Sequence, residues 1–401
     1  MKFLRTAPTR RLLAMIAGVV AVIAAGTAIA VAASGSGPVP PPTSLASAVH
    51  SALAAKQVQG VTARIKFTNH LIDSSDLQGA DPVLSGASGR LWVSNDGRMR
   101  LELQSDNGDA QVVVANGQFS IYDPGSRTAY QGKLPSDAHS GNKASKANAI
   151  PTIAEIQKRI SAMMQHANVS GAIPSDVAGQ AAYTVRVSPK HDGGLLGSAE
   201  LAWDATRGVP LKFAIFARGQ RTPVIELQAT DISYGSVPAS AFQAAPPQGA
   251  KIVKVTMPAG MGHAATARKH TRAHREVTGA AAVAKSLPFT LTAPKKLVGL
   301  PRRSVSKLDW GGTPAALVTY GQNLGGIAVI EQAAEPGGTP QVQGQDGHGG
   351  MSLPTVSING VTGQELDTAL GTVVRFTRGG VSYTVLGSVP AAAADLAARS
   401  L

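Results

Sequence analysis

The chain has 401 residues, no cysteine and a formal charge of +13. Without cysteine there is neither a disulfide framework nor a lipid-modified cysteine, so the chain is not itself a lipoprotein. Aromatic residues are only 4% of the total, and the basic excess is spread over the N-terminal segment, residues 268–275 and scattered strand positions. That distribution argues against nucleic acid and suits either an anionic membrane surface or simple solubility.

Residues 12–33 form an almost unbroken apolar run behind Lys2, Arg5, Arg10 and Arg11, with Thr27 as its only polar side chain. About 20 apolar residues span a bilayer as a helix, and the basic flank holds the N-terminus inside. Residues 1–33 are therefore expected to be an uncleaved transmembrane anchor. The small-x-small patterns Ala28-Ile29-Ala30 and Ala30-Val31-Ala32 keep a cleaved signal peptide open as the alternative. Either way the bulk of the chain is expected on the extracytoplasmic side of the cell membrane. Residues 34–43, with Pro38, Pro40, Pro41 and Pro42, read as a semi-rigid tether.

Residues 44–256 read as the first domain. Leu45, Val49 and Leu53 recur at helical spacing behind Thr43 and Ser44, either of which can cap the helix. From Val61 the period becomes two: Val61, Ala63, Ile65 and Phe67 alternate with polar residues, the mark of a strand with one wet face. Further strands carry Leu91 and Val93, then Met99, Leu101 and Leu103, then Val112 and Val114, then Phe119 and Ile121. Asn-Asp-Gly at 95–97 and Asn-Gly at 107–108 and 116–117 supply tight hairpin turns, so these strands form an antiparallel meander. Thr152 and Glu155 make a capping box for a second helix, whose face of Ile153, Ile156, Ile160, Met163 and Met164 is expected to lie against the sheet. Strands resume with Tyr183, Val185 and Val187, then Leu201 and Trp203, then Leu211, Phe213 and Ile215, then Ile225 and Leu227, with residues 251–255 as a last strand.

Residues 257–284 read as a basic flexible linker. Residues 285–401 read as a smaller, mainly β C-terminal domain with strands at 287–291, 315–320, 326–332, 357–358, 361–366, 372–377 and 381–387, and a closing helix at 391–400. Residues 337–350 are too glycine-rich to be core.

The order helix, meander, helix, meander resembles the LolA-like and RseB-like superfamily of periplasmic lipoprotein carriers and sensors. The resemblance rests on Tyr183-Thr184-Val185-Arg186-Val187-Ser188-Pro189, on Leu201-Ala202-Trp203-Asp204 followed by Gly208-Val209-Pro210-Leu211, and on Val237-Pro238 with Phe242, Pro246-Pro247 and Gly249. It covers residues 43–255 and is of the membrane-anchored actinobacterial type; the C-terminal domain looks like an uncharacterised module. The resemblance implies an α+β fold, a curved antiparallel half-barrel covered by helices. It also implies a lipid or a lipidated protein as ligand, with an envelope protein, such as an anti-sigma factor, as the alternative partner.

A strongly curved sheet closed by two helices leaves more apolar surface than the helices fill, so a cavity is expected. Each buried methylene of an acyl chain contributes about 0.8 kcal/mol there. Ile156, Ile160, Met163 and Met164 are the expected helix side of that cavity, and Phe67, Leu101, Leu103, Trp203 and Phe213 the sheet side; packing as ordinary core is the competing reading for each. No catalytic residue, metal or cofactor is assigned. His191-Asp192-Gly193-Gly194 reads as a polar hairpin turn. His270 and His274 lie among Arg268, Lys269, Arg272 and Arg275, whose charge repels a divalent cation. The expected activity is binding without a reaction.

Overall fold

The computed structural model describes residues 37–72, 86–104, 109–134, 151–243, 245–255, 277–310, 313–334 and 353–401. The apolar run at 12–33, residues 34–36 of the tether, the polar stretch at 137–148, the histidines and arginines of 263–275 and the glycine-rich stretch at 337–350 lie outside these residues. Among the described residues no helix is long and apolar enough to cross a membrane.

Two curled sheets make up the fold. The first starts at α1 (Leu45–Ala54), capped by Ser44, whose hydroxyl accepts the Ser47 N–H at 3.1 Å. Then come β1 (Gly60–Asn69), β2 (Ala87–Ser94), β3 (Met99–Gln104), β4 (Ala110–Ala115), β5 (Gln118–Asp123) and β6 (Thr128–Lys133), a continuous antiparallel meander. The Asn116-Gly117 turn has the expected pair of positive φ values, 53° and 69°. After α2 (Ile153–Met163) follow β7 (Ala167–Val169), β8 (Ile173–Val177), β9 (Gln180–Pro189), β10 (Leu196–Asp204), β11 (Pro210–Ala217), β12 (Ile225–Tyr234) and β13 (Lys251–Val255). The strands are ordered β13-β6-β5-β4-β3-β2-β1-β12-β11-β10-β9-β7, so the second meander joins the first through β12 and β1. One pair departs from the antiparallel expectation: β13 runs parallel to β6. The chain returns to that edge by a long connection and not by a hairpin, and only a crossover of this kind can deliver a parallel strand.

Gly89 marks the tightest approach inside the first meander. A Cβ there would sit 2.0 Å from the Glu102 carbonyl oxygen, so only glycine lets β2 and β3 close at this point. On the polar face an ion ladder crosses three neighbouring strands and β12. The Arg186 guanidinium pairs with Glu200, which is buried, and Lys212 bridges Glu200 (3.8 Å) and Glu226 (2.9 Å).

The second sheet has the order β14-β15-β16-β17-β21-β20-β19-β18. Its strands are β14 (Lys296–Leu297), β15 (Leu300–Trp310), β16 (Thr313–Tyr320), β17 (Ile327–Ala333), β18 (Thr355–Ile358), β19 (Val361–Thr368), β20 (Gly371–Arg378) and β21 (Val381–Gly387). It carries α3 (Ala280–Ala284) and α4 (Ala391–Arg399), whose Val283, Ala394, Ala397 and Ala398 are buried in its core. This unit starts earlier than residue 285, because Thr278 already bridges to Ser306 on β15. Residues 287–291 are a loop and not a strand. Pro288 lacks the N–H that a ladder needs, and Leu287, Phe289 and Leu291 pack on the core without pairing.

The sheets touch at the β9–β10 hairpin. Asp192 accepts the Gly194 N–H at 3.0 Å, and the Leu195 N–H reaches the carbonyl (3.0 Å) and hydroxyl (2.9 Å) of Ser388. A Cβ on Gly194 would lie 2.3 Å from the Ser388 carbonyl, so the hairpin read as a polar turn is also a contact point between the sheets, with the Ala369 N–H donating to the Leu71 carbonyl at 2.9 Å as another.

The capping box of α2 is complete: Thr152 Oγ1 accepts the Glu155 N–H, and Glu155 Oε2 accepts the Thr152 N–H at 2.8 Å. These bonds hold the Glu155 carboxyl below the usual glutamate range. Thr152→Ala is expected to cost about 1 kcal/mol. Urea unfolding reads that loss, and NMR titration should show the Glu155 pKa rising towards its ordinary value.

Candidate functional site

Strand register brings the apolar residues of the first sheet into rows on one face. Ile232, Ala63, Leu91, Leu101, Val112, Ile121, Tyr130 and Val253 stand directly opposite one another across eight strands, from β12 through β1–β6 to β13. A second row runs Ala87, Phe67, Leu227, Phe213, Leu201 across β2, β1, β12, β11 and β10. Between them lies Ala110, Leu103, Gly89, Ile65, Ala229. With a side-chain period of two, register alone gathers these groups on a single face.

Burial along the face is uneven: Ile121 at 7% and Leu201 at 5% are covered towards its two ends, and a partly buried stretch lies between them. Ala63, Ile65 and Ile232 are buried, whereas Phe67, Leu91, Leu101, Val112, Leu227 and Phe213 remain half-exposed. Among the described residues, no helix residue belongs to the cluster built around Val61, Ala63, Ile65 and Leu103, nor to the one around Phe119 and Ile121. At about 4.8 Å per strand, the partly open part across β1–β4 is roughly 14 Å wide. The result is an apolar trough suited to a long apolar chain, with the Tyr130 hydroxyl in its first row.

The helices sit elsewhere than expected. α1 lays Leu45, Ala48, Val49 and Ala52 on Tyr183, Val185 and Trp203 at the β9–β10 end of the sheet. α2 packs against α1 and β7. Of its apolar stripe, Ile156 is buried at 5% exposure and Ile160 is half-buried. Met163 at 39%, Met164 at 45% and Ile153 at 45% face solvent. The stripe is wider than α1 and β7 can cover, which is why part of it stays outside.

The nine expected site residues thus divide into three groups. Phe67, Leu101, Leu103 and Phe213 share the trough face. Trp203 is buried beneath α1, its ring 6.2 Å from that of Tyr183, so it supports α1 and does not line the trough. Ile156, Ile160, Met163 and Met164 lie on α2, away from the trough clusters. Leu91, Val112 and Leu227, absent from the expected set, fill the gaps between Phe67, Leu101 and Phe213. The alternation in β2, β4 and β12 was their signal, but nothing in the sequence tells which alternating residues end up adjacent.

A second concavity of about 530 Å³ lies in the other sheet, bounded by Pro288, Phe289, Thr292, Arg378, Val381 and Tyr383. Beside it Glu331 is fully buried; its Oε2 accepts the Thr292 N–H at 2.8 Å, and its Oε1 has no partner. Burial pushes its carboxyl up to about 7. Tyr320, also buried, is raised to about 12 by desolvation and by the Glu331 charge. Among the described residues no group of three or more His, Asp or Glu side chains comes together to hold a metal.

No protein-family model matches the sequence, and no curated protein matches it. The chain is similar to solved structures of MucB. One is MucB in complex with MucA(peri), at 18% identity and a TM-score of 0.40, covering 88% of this chain and 94% of that one. Another is the MucA/MucB complex of Pseudomonas aeruginosa, at 17% identity and 0.41, covering 88% and 96%. A LolA superfamily protein from Nitrosomonas europaea matches at 10% identity and 0.19, covering 50% of this chain and 98% of its own. With similarity at this level, the site stands on this chain's own register and exposure.

Proposed function

We propose that this protein is a membrane-anchored, extracytoplasmic binding module that holds a lipid, or the acyl part of a lipidated protein, in the trough of its first sheet. No reaction is assigned to it. The observation that carries the reading is the half-open apolar face around Leu91, Leu101, Val112, Phe67, Leu227 and Phe213, over which no described helix closes. Soluble proteins leave contiguous apolar surface of this kind exposed chiefly where something binds. An acyl chain gains about 0.8 kcal/mol for each methylene it buries, so a dozen methylenes give roughly 10 kcal/mol before ordering costs. The alternative occupant is a segment of another envelope protein, for which the same face would serve as a docking surface.

Mass spectrometry of organic extracts from the purified ectodomain, expressed without the apolar N-terminal run, tests the proposal. Lipid co-purifying at near-stoichiometric amounts is the expected result. A lipid-free extract, with an envelope peptide retained instead, would move the trough to the alternative.

A further inference from the structure

We infer that the solvent-facing side of α2 docks on an anionic phospholipid bilayer, with Ile153, Met163 and Met164 dipping below the headgroups and Arg159 and Lys190 meeting the phosphates. The inference rests on the anchored reading proposed above and adds a membrane-contact surface to it. Three observations converge. First, the apolar stripe of α2 is only half used inside the protein, and Ile153 and Met164 mark the two ends of an exposed strip about 16 Å long at 1.5 Å per residue. Second, the surrounding charge is basic. Lys158 and Arg159 are exposed on the helix, and Lys190 places its ammonium 3.3 Å from the Met164 carbonyl. The only acid of α2, Glu155, is committed to the helix's own capping box. Third, the tether enters beside this helix. Tyr183 donates a hydrogen bond to the Pro41 carbonyl at 2.7 Å, and Thr43 bridges to Ala172, three residues past the β7 strand on which α2 packs.

These features fit an interfacial helix better than a water-facing one. Seven residues, 34–40, separate the apolar run from Pro41, and a chain of that length reaches at most about 25 Å, so on the anchored reading this edge of the sheet stays close to the headgroups. An amphipathic helix with Met and Ile on one side and Lys and Arg around it lies in the interface plane, its apolar side about 5–10 Å deep. Flexible methionines suit a fluid acyl boundary because they repack at little cost.

The absence of cysteine makes the test direct. Met164→Cys in the full chain, carrying a nitroxide and reconstituted in vesicles, reports depth through collisions with dissolved oxygen and with a water-soluble nickel chelate. In phosphatidylcholine with 30% phosphatidylglycerol the label is expected about 5–10 Å below the phosphates. A label at the exposed Leu324 of the second sheet should stay aqueous. Arg159→Glu or Lys190→Glu should each lower the docked fraction roughly fivefold. A Met163→Cys label repeats the measurement should the first variant perturb the helix. Flotation in high salt reads the anchor separately. Flotation with an aqueous label at both positions overturns the docking and keeps the anchor, whereas a buried label at low salt without high-salt flotation keeps the docking and overturns the anchor. Label immobilisation that rises with protein concentration but ignores lipid charge would give this face to a second copy of the chain and overturn the inference.

Discussion

Leu101→Glu is expected to abolish uptake of an acyl ligand while leaving the protein folded. Leu101 sits midway along the eight-strand row, between Leu91 and Val112, and is only partly buried. The carboxylate can stay hydrated when the trough is empty, so the stability change should remain within about 1 kcal/mol, as for substitutions at partly exposed positions. Once an acyl chain lies over the row, that carboxylate loses its water and gains no partner. Desolvating even a neutral polar group without a partner costs about 1–3 kcal/mol on protein scales, and a charge costs more. Affinity for a fluorescent fatty-acid probe should therefore fall by at least ten- to a hundredfold, with the urea midpoint near that of the parent. Arg64→Glu reverses a charge on the opposite, exposed face of β1 and should leave uptake intact. Equal uptake by Leu101→Glu and the parent would remove the trough as the ligand site.

The same row shows where a single sequence is informative. Alternation in β1 to β5 specifies the strands, and Gly97 and Asn116-Gly117 specify the β2–β3 and β4–β5 hairpins, which set Leu91 opposite Leu101 and Val112 opposite Ile121. That Phe67 and Phe213 share this face follows from the β1–β12 and β12–β11 pairings, and no turn announces the first of these. Helix placement was not legible. A stripe such as Ile153, Ile156, Ile160, Met163 and Met164 states that a helix has an apolar side, not what lies against it. Here α1 and β7 take Ile156 and part of Ile160 and leave the rest. Trp203 and Phe213 likewise look equivalent as inward strand residues, yet α1 covers one and not the other.

Strands without alternation were also hidden. β6, Thr-Ala-Tyr-Gln-Gly-Lys, has no two-residue period, and it pairs because β5 and β13 flank it. β15 opens with Leu-Pro-Arg-Arg, where Pro301 and two charges disguise an eleven-residue strand. β7 and β8 have only three and five residues, too few for a period to show. In the second sheet, Glu331 interrupts the apolar sequence Ile327-Ala328-Val329-Ile330, which was a visible sign of a buried carboxyl. Only the cross-strand neighbours establish that the carboxyl is shut off from bulk solvent.

That carboxyl should dominate the pH dependence of the second sheet. Glu331 is 0% exposed, and burial raises its pKa from 4.5 to about 7 against the lowering effect of the Thr292 N–H. Between those two values the folded chain keeps a proton that the unfolded chain has already released. Stability therefore falls as pH rises from about 4.5 to about 7 and is level above the folded value, the reverse of the usual behaviour of a salt-bridged glutamate. A displacement of this size corresponds to about 3 kcal/mol at full development. Glu331→Gln keeps an oxygen for the Thr292 N–H and carries no charge. The variant should match the parent near pH 4.5, lose the slope, and exceed the parent by about 2–3 kcal/mol at pH 8. Urea titrations of both chains at half-unit pH steps measure it, followed at the second sheet through Tyr320 and Tyr383. A parent and variant with parallel stability profiles from pH 4 to 8 would show that Glu331 is ionised in the fold, its unpartnered Oε1 hydrated after all.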